Sequence, residues 1–307
     1  MPAPANKFGY VLPADRSYGV EKEHERIMQD TQSIMQAGAP IVGSGKGKIV
    51  LLHKILQEVA GYYPVLRQSI GDCVSFGYAK GIMISLACDI KLRGESEQWP
   101  GSEIATEWIY GTSRVLVGKG RLGNGDGSIG SWAKRAIAPA GHGTLLRKAY
   151  GRHDLTKYSG QRAKSWGYRG LPATELEPTA DIHPVSAEPA AVTNYEQARD
   201  AIANGYAVPV CSNQGFRDVR DSQGFARASG SWAHCMCFIA VDDTDRPGLL
   251  CDNSWGANWI SGPKRHDQPD GSFWVDANTC DKMLRQNDSF AIPGFEGYVQ
   301  HNMWEIF

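Results

Sequence analysis

The hydrophobic residues in the first half of the chain recur mostly at helical spacing. Between residues 49 and 60 they follow one another every three or four positions, which predicts a helix there. A longer run predicts a second helix from Cys73 to Ile90, with Asp72 placed to cap its first turn. Residues 118–130 are rich in glycine and predict a flexible loop. Three further helices are predicted near residues 21–36, over residues 103–117 and from residue 132 onward.

The second half of the chain changes to strand-like runs. Residues 172–192 contain several prolines and predict a connection, followed by a short helix over residues 195–203. Strands are predicted at residues 207–210, 235–241, 248–251 and 272–275. Helices followed by strands indicate the α+β class, with two lobes and a cleft between them. We therefore predict an N-terminal arm over residues 1–44 and a domain over residues 45–307, with a helical lobe at about 45–185 and a β-rich lobe at about 186–307.

Composition limits the classes of function. The 307 residues are 42% hydrophobic, which is typical of a folded globular protein. A net charge of −1 offers no global basic surface, so we expect no nucleic-acid partner. No apolar stretch approaches 18 residues, and no basic head precedes an apolar run at the N-terminus, so neither a membrane span nor a signal peptide is expected.

The seven cysteines favour a reducing compartment such as the cytoplasm. Their number is odd and no CxxC pair occurs, so they predict buried free thiols, one of which could be a nucleophile. Cys235 and Cys237 lie beside His234 and suggest a zinc site. On a strand, however, both cysteines point away from the histidine, and a second pair of ligands is missing. We predict neither a metal nor a cofactor.

Three short segments carry the residues of nucleophilic catalysis. Cys73 begins a predicted helix, where the helix dipole and free N–H groups favour a thiolate. His234 could accept the thiol proton, and the side-chain carbonyl of Asn253 could orient the imidazole ring. Gln68, shortly before the cysteine, could donate its amide to an oxyanion.

These segments resemble the papain/cathepsin family of cysteine peptidases. The matching residues are Gln68, Gly71, Cys73, Ser75 and Phe76 in the first segment, His234 leading into residues 238–242 in the second, and Asn253-Ser254-Trp255-Gly256 in the third. The resemblance implies a papain-like two-lobe fold, with a polypeptide substrate extended across the cleft. It also implies that Trp255 covers the Asn253–His234 hydrogen bond and that Gly127 and Ser128 bind the substrate backbone.

The chain departs from the family pattern near the nucleophile. Gln68 lies one residue closer to Cys73 than is usual, Val74 replaces a tryptophan, and Ile70 replaces a disulfide-forming cysteine. The negative charge of Asp72 would disfavour a thiolate unless it points away. His234 and Asn253 follow Cys73 by 161 and 180 residues, against about 130–150 in the family, so insertions are expected.

Two interpretations follow. The first is a cysteine peptidase with Cys73, His234, Asn253 and Gln68 in its active site. The alternative is a catalytically idle papain-fold subunit of a larger assembly. The arm over residues 1–44 bears on this choice, because it could lie in its own cleft and make the protein latent, or on another subunit as an assembly element. Since the arm shows no helical pro-segment pattern, we favour the second place for it.

Overall fold

The computed structural model describes residues 8–15, 19–38, 42–93, 103–183, 185–293 and 302–306. The first seven residues of the predicted arm therefore lie outside the described residues. The α-helices are α1 (Glu21–Gln29), α2 (Leu52–Ala60), α3 (Cys73–Arg93), α4 (Thr106–Gly111), α5 (Gly130–Ile137), α6 (Gly160–Arg169), α7 (Ala173–Ala180), α8 (Tyr195–Ala203) and α9 (Ala277–Leu284). A π-helical segment, Thr112–Val117, continues α4, and a short 3₁₀ turn covers Met303–Glu305.

The strands form one main antiparallel sheet and two short ribbons. They are β1 (Ile49–Leu51), β2 (Ala149–Tyr150), β3 (His153–Asp154), β4 (Ala190–Ala191), β5 (Val208–Arg220), β6 (Ala226–Asp242), β7 (Gly248–Asp252), β8 (Phe273–Asp276) and β9 (Phe290–Ala291). The main sheet runs β1–β6–β7–β8, and β5 also pairs with β6. β2 pairs with β3, and β4 pairs with β9. The predicted α+β class is confirmed.

Helix α3 is the central helix of the structure. It is long and apolar enough to cross a membrane by length and composition, but 94% of that stretch is buried inside the protein. Its main contacts are with β6 and α2. A helix that is apolar on all sides fits such a core position.

The predicted helix over residues 49–60 begins later than expected. Ile49 and Val50 form β1 and pair with Asp242 and Val241 of β6, and the helix starts at Leu52. The β-branched side chains of Ile49 and Val50 suit a sheet, and the pairing with β6 overrides the helical spacing. As a result, residues 49–51 of the predicted helical lobe belong to the main sheet, whose other strands come from the predicted β-rich lobe.

The region after the glycine-rich loop contains two helices that the sequence did not predict. α6 begins after Ser159, whose hydroxyl accepts a hydrogen bond from the N–H of Arg162. α7 lies inside the predicted connection and contains Pro178 near its end. Both helices bury apolar residues in a small separate core, in which Trp166 and Leu176 pack with Trp108 and others. This tertiary packing stabilises helices that have weak local signals.

The glycine-rich loop is fastened rather than flexible. The guanidinium of Arg114, which is fully buried, donates hydrogen bonds to the carbonyl groups of Gly123, Gly125 and Gly127. Its Nε also donates to the carbonyl of Gly167 in α6, at 2.9 Å. A planar guanidinium with five donors is well suited to hold several carbonyl groups at once.

A buried ion pair joins α3 to the end of β7. Nζ of Lys80 lies 3.3 Å from Oδ2 of Asp252 and donates a 2.6 Å hydrogen bond to the carbonyl of Pro64. It also lies 4.1 Å from the ring centre of Tyr63. Because Asp252 directly precedes Asn253, this pair helps to fix the end of β7 against the helix that begins at Cys73.

We expect Lys80→Met to lower the free energy of unfolding by about 3–5 kcal/mol, because it leaves a buried carboxylate without its cation. The matched control is Lys264→Met, which breaks an exposed pair with Asp270 and should cost about 0–1 kcal/mol. Chemical denaturation of both variants measures the difference. Equal losses would show that the buried pair does not stabilise the contact between α3 and β7.

Candidate active site

The fold joins His234 to Asn253 and places Cys73 against the strand that carries His234. Cys73 begins α3, His234 lies on β6, and Asn253 follows the last residue of β7. The N–H of Cys235 points to Sγ of Cys73 at 3.4 Å, so the thiol lies directly against the strand that carries His234. Nε2 of His234 lies 2.8 Å from Oδ1 of Asn253.

The hydrogen bond to Asn253 fixes the chemistry of the His234 ring. A side-chain carbonyl oxygen only accepts hydrogen bonds, so Nε2 carries the hydrogen and Nδ1 is left as the basic nitrogen. Nδ1 is buried and has no hydrogen-bond partner. The indole of Trp255 lies over the imidazole with ring centres 4.7 Å apart, where it shields the bond from solvent, as the resemblance implies.

Burial favours the neutral form of both Cys73 and His234 in this conformation. Burial raises the pKa of the Cys73 thiol, and the N–H groups of Cys235 and Gly9 offset this only in part. Burial lowers the pKa of His234 to about 4, against the opposing effect of its hydrogen bond to Asn253. Burial thus favours a thiol at Cys73 and a neutral imidazole at His234, and no hydrogen bond joins Sγ of Cys73 to Nδ1 of His234.

Gln68 is tied to the strand end that carries Asn253. Its backbone N–H donates to the carbonyl of Ser254 at 2.8 Å, and its side-chain oxygen accepts from the Ser254 hydroxyl. Its amide nitrogen donates to the carbonyl of Ile70 at 2.7 Å. The residue thus connects the loop before Cys73 to the segment after β7, and its role as an oxyanion donor stays a prediction.

Asp72 does not cap α3 as the sequence suggested. Its Oδ2 instead accepts a 2.9 Å hydrogen bond from the hydroxyl of Tyr158, which also accepts from the N–H of Ser69. Burial raises the pKa of Asp72 well above its usual range, although the hydrogen bond from Tyr158 acts in the opposite direction. The carboxyl is thereby shifted towards its neutral form, which reduces the repulsion that would oppose a thiolate at Cys73.

Residues 8–11 of the predicted arm lie directly on the site. The N–H of Val11 donates to the carbonyl of Ser128 at 2.9 Å, and the N–H of Ser128 donates to the carbonyl of Gly9 at 2.8 Å. On the opposite side, the N–H of Tyr10 donates to the carbonyl of Ala233 at 3.1 Å. The segment is therefore hydrogen-bonded to both walls of the cleft. One wall is bound at Ala233, the residue before His234, and the other at Ser128, which belongs to the predicted backbone-binding pair. We refer to residues 8–11 as the covering segment.

The covering segment fits closely at the thiol. A Cβ placed on Gly9 would lie 1.9 Å from the carbonyl oxygen of Gly71, so the position accepts only glycine in this conformation. The Phe8 ring lies 6.3 Å from His234 and 5.7 Å from Trp255, measured between ring centres. Together with the N–H of Gly9 at Sγ, these contacts exclude an extended peptide from Cys73.

This placement corrects the preference for a neighbouring subunit as the partner of the arm. Two residues in the sequence make this placement possible, an aromatic residue at position 8 and a glycine at position 9. No local pattern in the sequence linked them to the residues around Cys73. Tyr158 was also missed, because its contact with Asp72 depends on the unpredicted turn before α6. Asp288, which lies beside Tyr10, was missed as well.

The overall fold is similar to solved cysteine proteases. Xylellain, a cysteine protease from Xylella fastidiosa, matches with a TM-score of 0.61 at 15% identity, over 96% of this chain and 99% of that one. The chain has a papain-like fold. Digestive procathepsin L 3 of Tenebrio molitor matches at 15% identity over 93% of this chain and 83% of its own, with a TM-score of 0.48. Procathepsin B S9 from Trypanosoma congolense matches at 11% identity over 92% and 91%, also with a TM-score of 0.48.

Comparison of the amino-acid sequence gives no further information about the fold or the function. No protein-family model and no curated protein matches the chain. Within the described ranges, no group of three or more histidine, cysteine, aspartate or glutamate side chains is arranged to hold a metal ion. The interpretation of the site therefore depends on the geometry of Cys73, His234 and Asn253.

We expect Gly9→Val to expose Cys73 in the full-length protein, because the added side chain cannot fit against Gly71. The rate of Cys73 alkylation by iodoacetamide should rise roughly tenfold or more, while the other six buried cysteines stay slow. Peptide mapping by mass spectrometry reports each thiol separately. Ala14→Val, at an exposed position of the same arm, is the matched control and should leave the rate unchanged. Equal rates in both variants would mean that residues 8–11 do not shield the thiol.

Proposed function

We propose that this protein is a cysteine peptidase that hydrolyses polypeptides at Cys73. The observation that carries the proposal is the arrangement at His234, whose Nε2 is bound to Asn253 at 2.8 Å while its Nδ1 is buried without a partner. The next residue on the strand, Cys235, donates its N–H to Sγ of Cys73 at a helix start. A base oriented by a third group is what a weak nucleophile requires.

In the proposed first step, Nδ1 of His234 accepts the Sγ proton while sulfur attacks the scissile carbonyl carbon. The carbonyl oxygen gains negative charge, which the backbone N–H of Cys73 and the amide of Gln68 would stabilise. The C–N bond then breaks, and the imidazolium returns its proton to the departing amine. The product of this step is a thioester on Cys73.

In the second step, His234 accepts a proton from water as the water oxygen attacks the thioester carbon. The C–S bond breaks, the carboxyl product leaves, and the proton returns to sulfur. Both steps use the same base, because Asn253 holds the ring in one orientation throughout. Gly127, Ser128 and Trp255 would line the path of the substrate backbone.

The covering segment makes the described conformation a latent one in this proposal. It occupies the hydrogen-bonding groups of Ser128 and Ala233 that an extended peptide would need. The proposal places the protein in a reducing compartment, in keeping with seven free cysteines. An additional role of residues 1–44 in assembly stays a prediction.

We expect a graded series when substitutions are made in the Gly9→Val background and peptide hydrolysis is measured. Cys73→Ala should lose several orders of magnitude of turnover, and His234→Ala nearly as much, since base and nucleophile act as a unit. Asn253→Ala should be milder, and Gln68→Ala should cost about 10²–10³.

The matched control for this series is Cys88→Ala, which removes another buried thiol of the same helix and should retain turnover. Appreciable turnover by Cys73→Ala would contradict the nucleophile assignment, whereas absence of turnover in Gly9→Val itself would favour the idle papain-fold subunit. A full rate for Gln68→Ala would exclude its amide from the oxyanion site.

Latency and assembly make different predictions for Gly9→Val. If residues 8–11 only block the cleft, turnover on small peptides should rise while the mass of the protein in solution stays the same. If the arm instead joins subunits, the mass should change without a rise in turnover. Enzyme assays and light scattering on the same samples separate the two, and a change of mass alone would contradict latency.

A further inference from the structure

Residues 69–72 form the loop that links the two proposed oxyanion donors, the side-chain amide of Gln68 and the backbone N–H of Cys73. The loop has no regular secondary structure, and α3 begins only at its end. All seven cysteines are free, so no disulfide fastens it. Noncovalent contacts must therefore set the distance and the angle between the two donors.

The hydroxyl of Tyr158 is bonded to both ends of this loop. It accepts a hydrogen bond from the backbone N–H of Ser69 at 3.2 Å and another from the Ser69 hydroxyl at 3.3 Å. It donates its own hydrogen to Oδ2 of Asp72 at 2.9 Å. A phenol has a single hydrogen to donate. The bonds of Tyr158 thus reach the residue that follows Gln68 and the residue that precedes Cys73.

Tyr158 is itself held in place by its neighbours. Its ring lies edge-on to Phe76 in the first turn of α3, with ring centres 5.1 Å apart, and the guanidinium carbon of Arg147 lies 5.7 Å from the ring centre. The next residue, Ser159, donates its N–H to the buried carboxylate of Glu107 at 2.9 Å. The hydroxyl therefore has a defined position relative to α3 and can anchor the loop.

The conformation of the loop also sets the direction of the Gln68 side chain. The amide nitrogen of Gln68 donates to the carbonyl of Ile70 at 2.7 Å, within the same loop. The N–H of Asp72 donates to that carbonyl as well, at 2.9 Å. A shift at Ser69 or Asp72 would move the oxygen to which the amide is bonded, and the amide would turn with it.

The carboxyl group of Asp72 is the acceptor of the Tyr158 hydroxyl. The side chain is fully buried, and its other oxygen, Oδ1, has no hydrogen-bond partner among the described residues. Burial raises the pKa of Asp72 well above its usual range, against the hydrogen bond from Tyr158. A neutral carboxyl still accepts a hydrogen bond but places no negative charge next to Cys73. The bond from Tyr158 thus accounts for a polar side chain at this buried position.

We propose that Tyr158 is a positioning residue for the oxyanion site of the peptidase. By holding the loop at Ser69 and at Asp72, it aligns the two donors on one carbonyl oxygen. This inference rests on the proposed function and adds a residue to its machinery. Tyr158 acts through Gln68 and Cys73 rather than by contact with the substrate.

The first test is a double-mutant cycle in full-length Gly9→Val. Tyr158→Phe keeps the ring and removes only the hydroxyl, and we expect kcat for a peptide substrate to fall roughly 10–100-fold while KM changes less than about twofold. In the Gln68→Ala background, the same substitution should lower kcat less than about threefold, because one of the two donors is already absent. A residue that only supports the fold would lower the free energy of unfolding in both backgrounds without changing kcat.

The matched control is Tyr150→Phe, which removes another phenol hydroxyl that is bonded to backbone groups. That hydroxyl accepts from the N–H of Leu146 at 2.9 Å and donates to its carbonyl at 3.0 Å. We expect kcat to stay unchanged in this variant.

Substitutions of Asp72 test the same anchor from its other side. Asp72→Ala removes the acceptor and should lower kcat as far as Tyr158→Phe does. Asp72→Asn restores an acceptor oxygen and should recover most of that loss. Should Tyr158→Phe fail to fold, the comparison of Asp72→Ala with Asp72→Asn decides, and equal turnover in these two variants would overturn the inference.

The second test measures the oxyanion site without turnover. A peptide aldehyde adds reversibly to Cys73: an S–C bond forms, the π electron pair of the carbonyl moves to its oxygen, and the thiol proton passes through His234 to that oxygen. The affinity is measured as protection of Cys73 from iodoacetamide and should fall about tenfold in Tyr158→Phe. Alkylation in the absence of the aldehyde puts no charge on a carbonyl oxygen, so its rate should not change.

The outcomes distinguish this inference from the proposed function. If Gly9→Val cleaves peptides and Tyr158→Phe loses no turnover, or loses as much with Gln68→Ala as without it, the inference is overturned and the peptidase stands. Equal losses of aldehyde affinity and alkylation rate would show a general distortion around Cys73 and would also overturn it.

Absence of cleavage by Gly9→Val, in a protein whose Cys73 is open to alkylation, overturns the proposed function. The aldehyde affinities then decide on Tyr158 by themselves, and absence of aldehyde binding overturns both. Lower turnover and weaker aldehyde binding in Tyr158→Phe, at an unchanged rate of alkylation, support both.

Discussion

The close approach of α3 to β6 is the contact on which the candidate site depends. A Cβ on Gly77 would lie 2.9 Å from the carbonyl oxygen of Met236 and 3.0 Å from Sγ of Cys235, so only glycine allows this approach. Gly81, one turn further along, faces Pro209 and Ile292 at similarly short distances. The first turn of the helix is thereby pressed against the strand, and Cys73 reaches the residue next to His234.

That contact places the Cys73 thiol but does not set its protonation state. The covering segment removes solvent from the thiol and the imidazole, and burial then favours the neutral form of each. Opening of the cleft would restore water around both groups and bring their pKa values towards each other. A single rearrangement of four residues would thus uncover Cys73 and also make proton transfer from Cys73 to His234 easier.

The surroundings of the site are rich in buried polar groups that hold loops in place. Arg114 fastens the glycine-rich loop that ends at Ser128, Tyr158 holds Asp72, and the pair of Lys80 and Asp252 fixes the end of β7. Each of these groups costs free energy to bury and is compensated by its hydrogen bonds. Their common effect is to hold in place the loops and strand ends that surround the candidate site.

The sequence by itself determined the α+β class, the central helix from Cys73 and the three segments whose side chains meet at the site. It could do so because helical spacing and short motifs are local properties of the chain. The tertiary structure alone decided that Ile49 and Val50 form a strand, that α6 and α7 exist, and that residues 8–11 cover the thiol. It also decided that Asp288 lies beside Tyr10. These features depend on contacts between residues far apart in the chain, where packing and burial outweigh local preference.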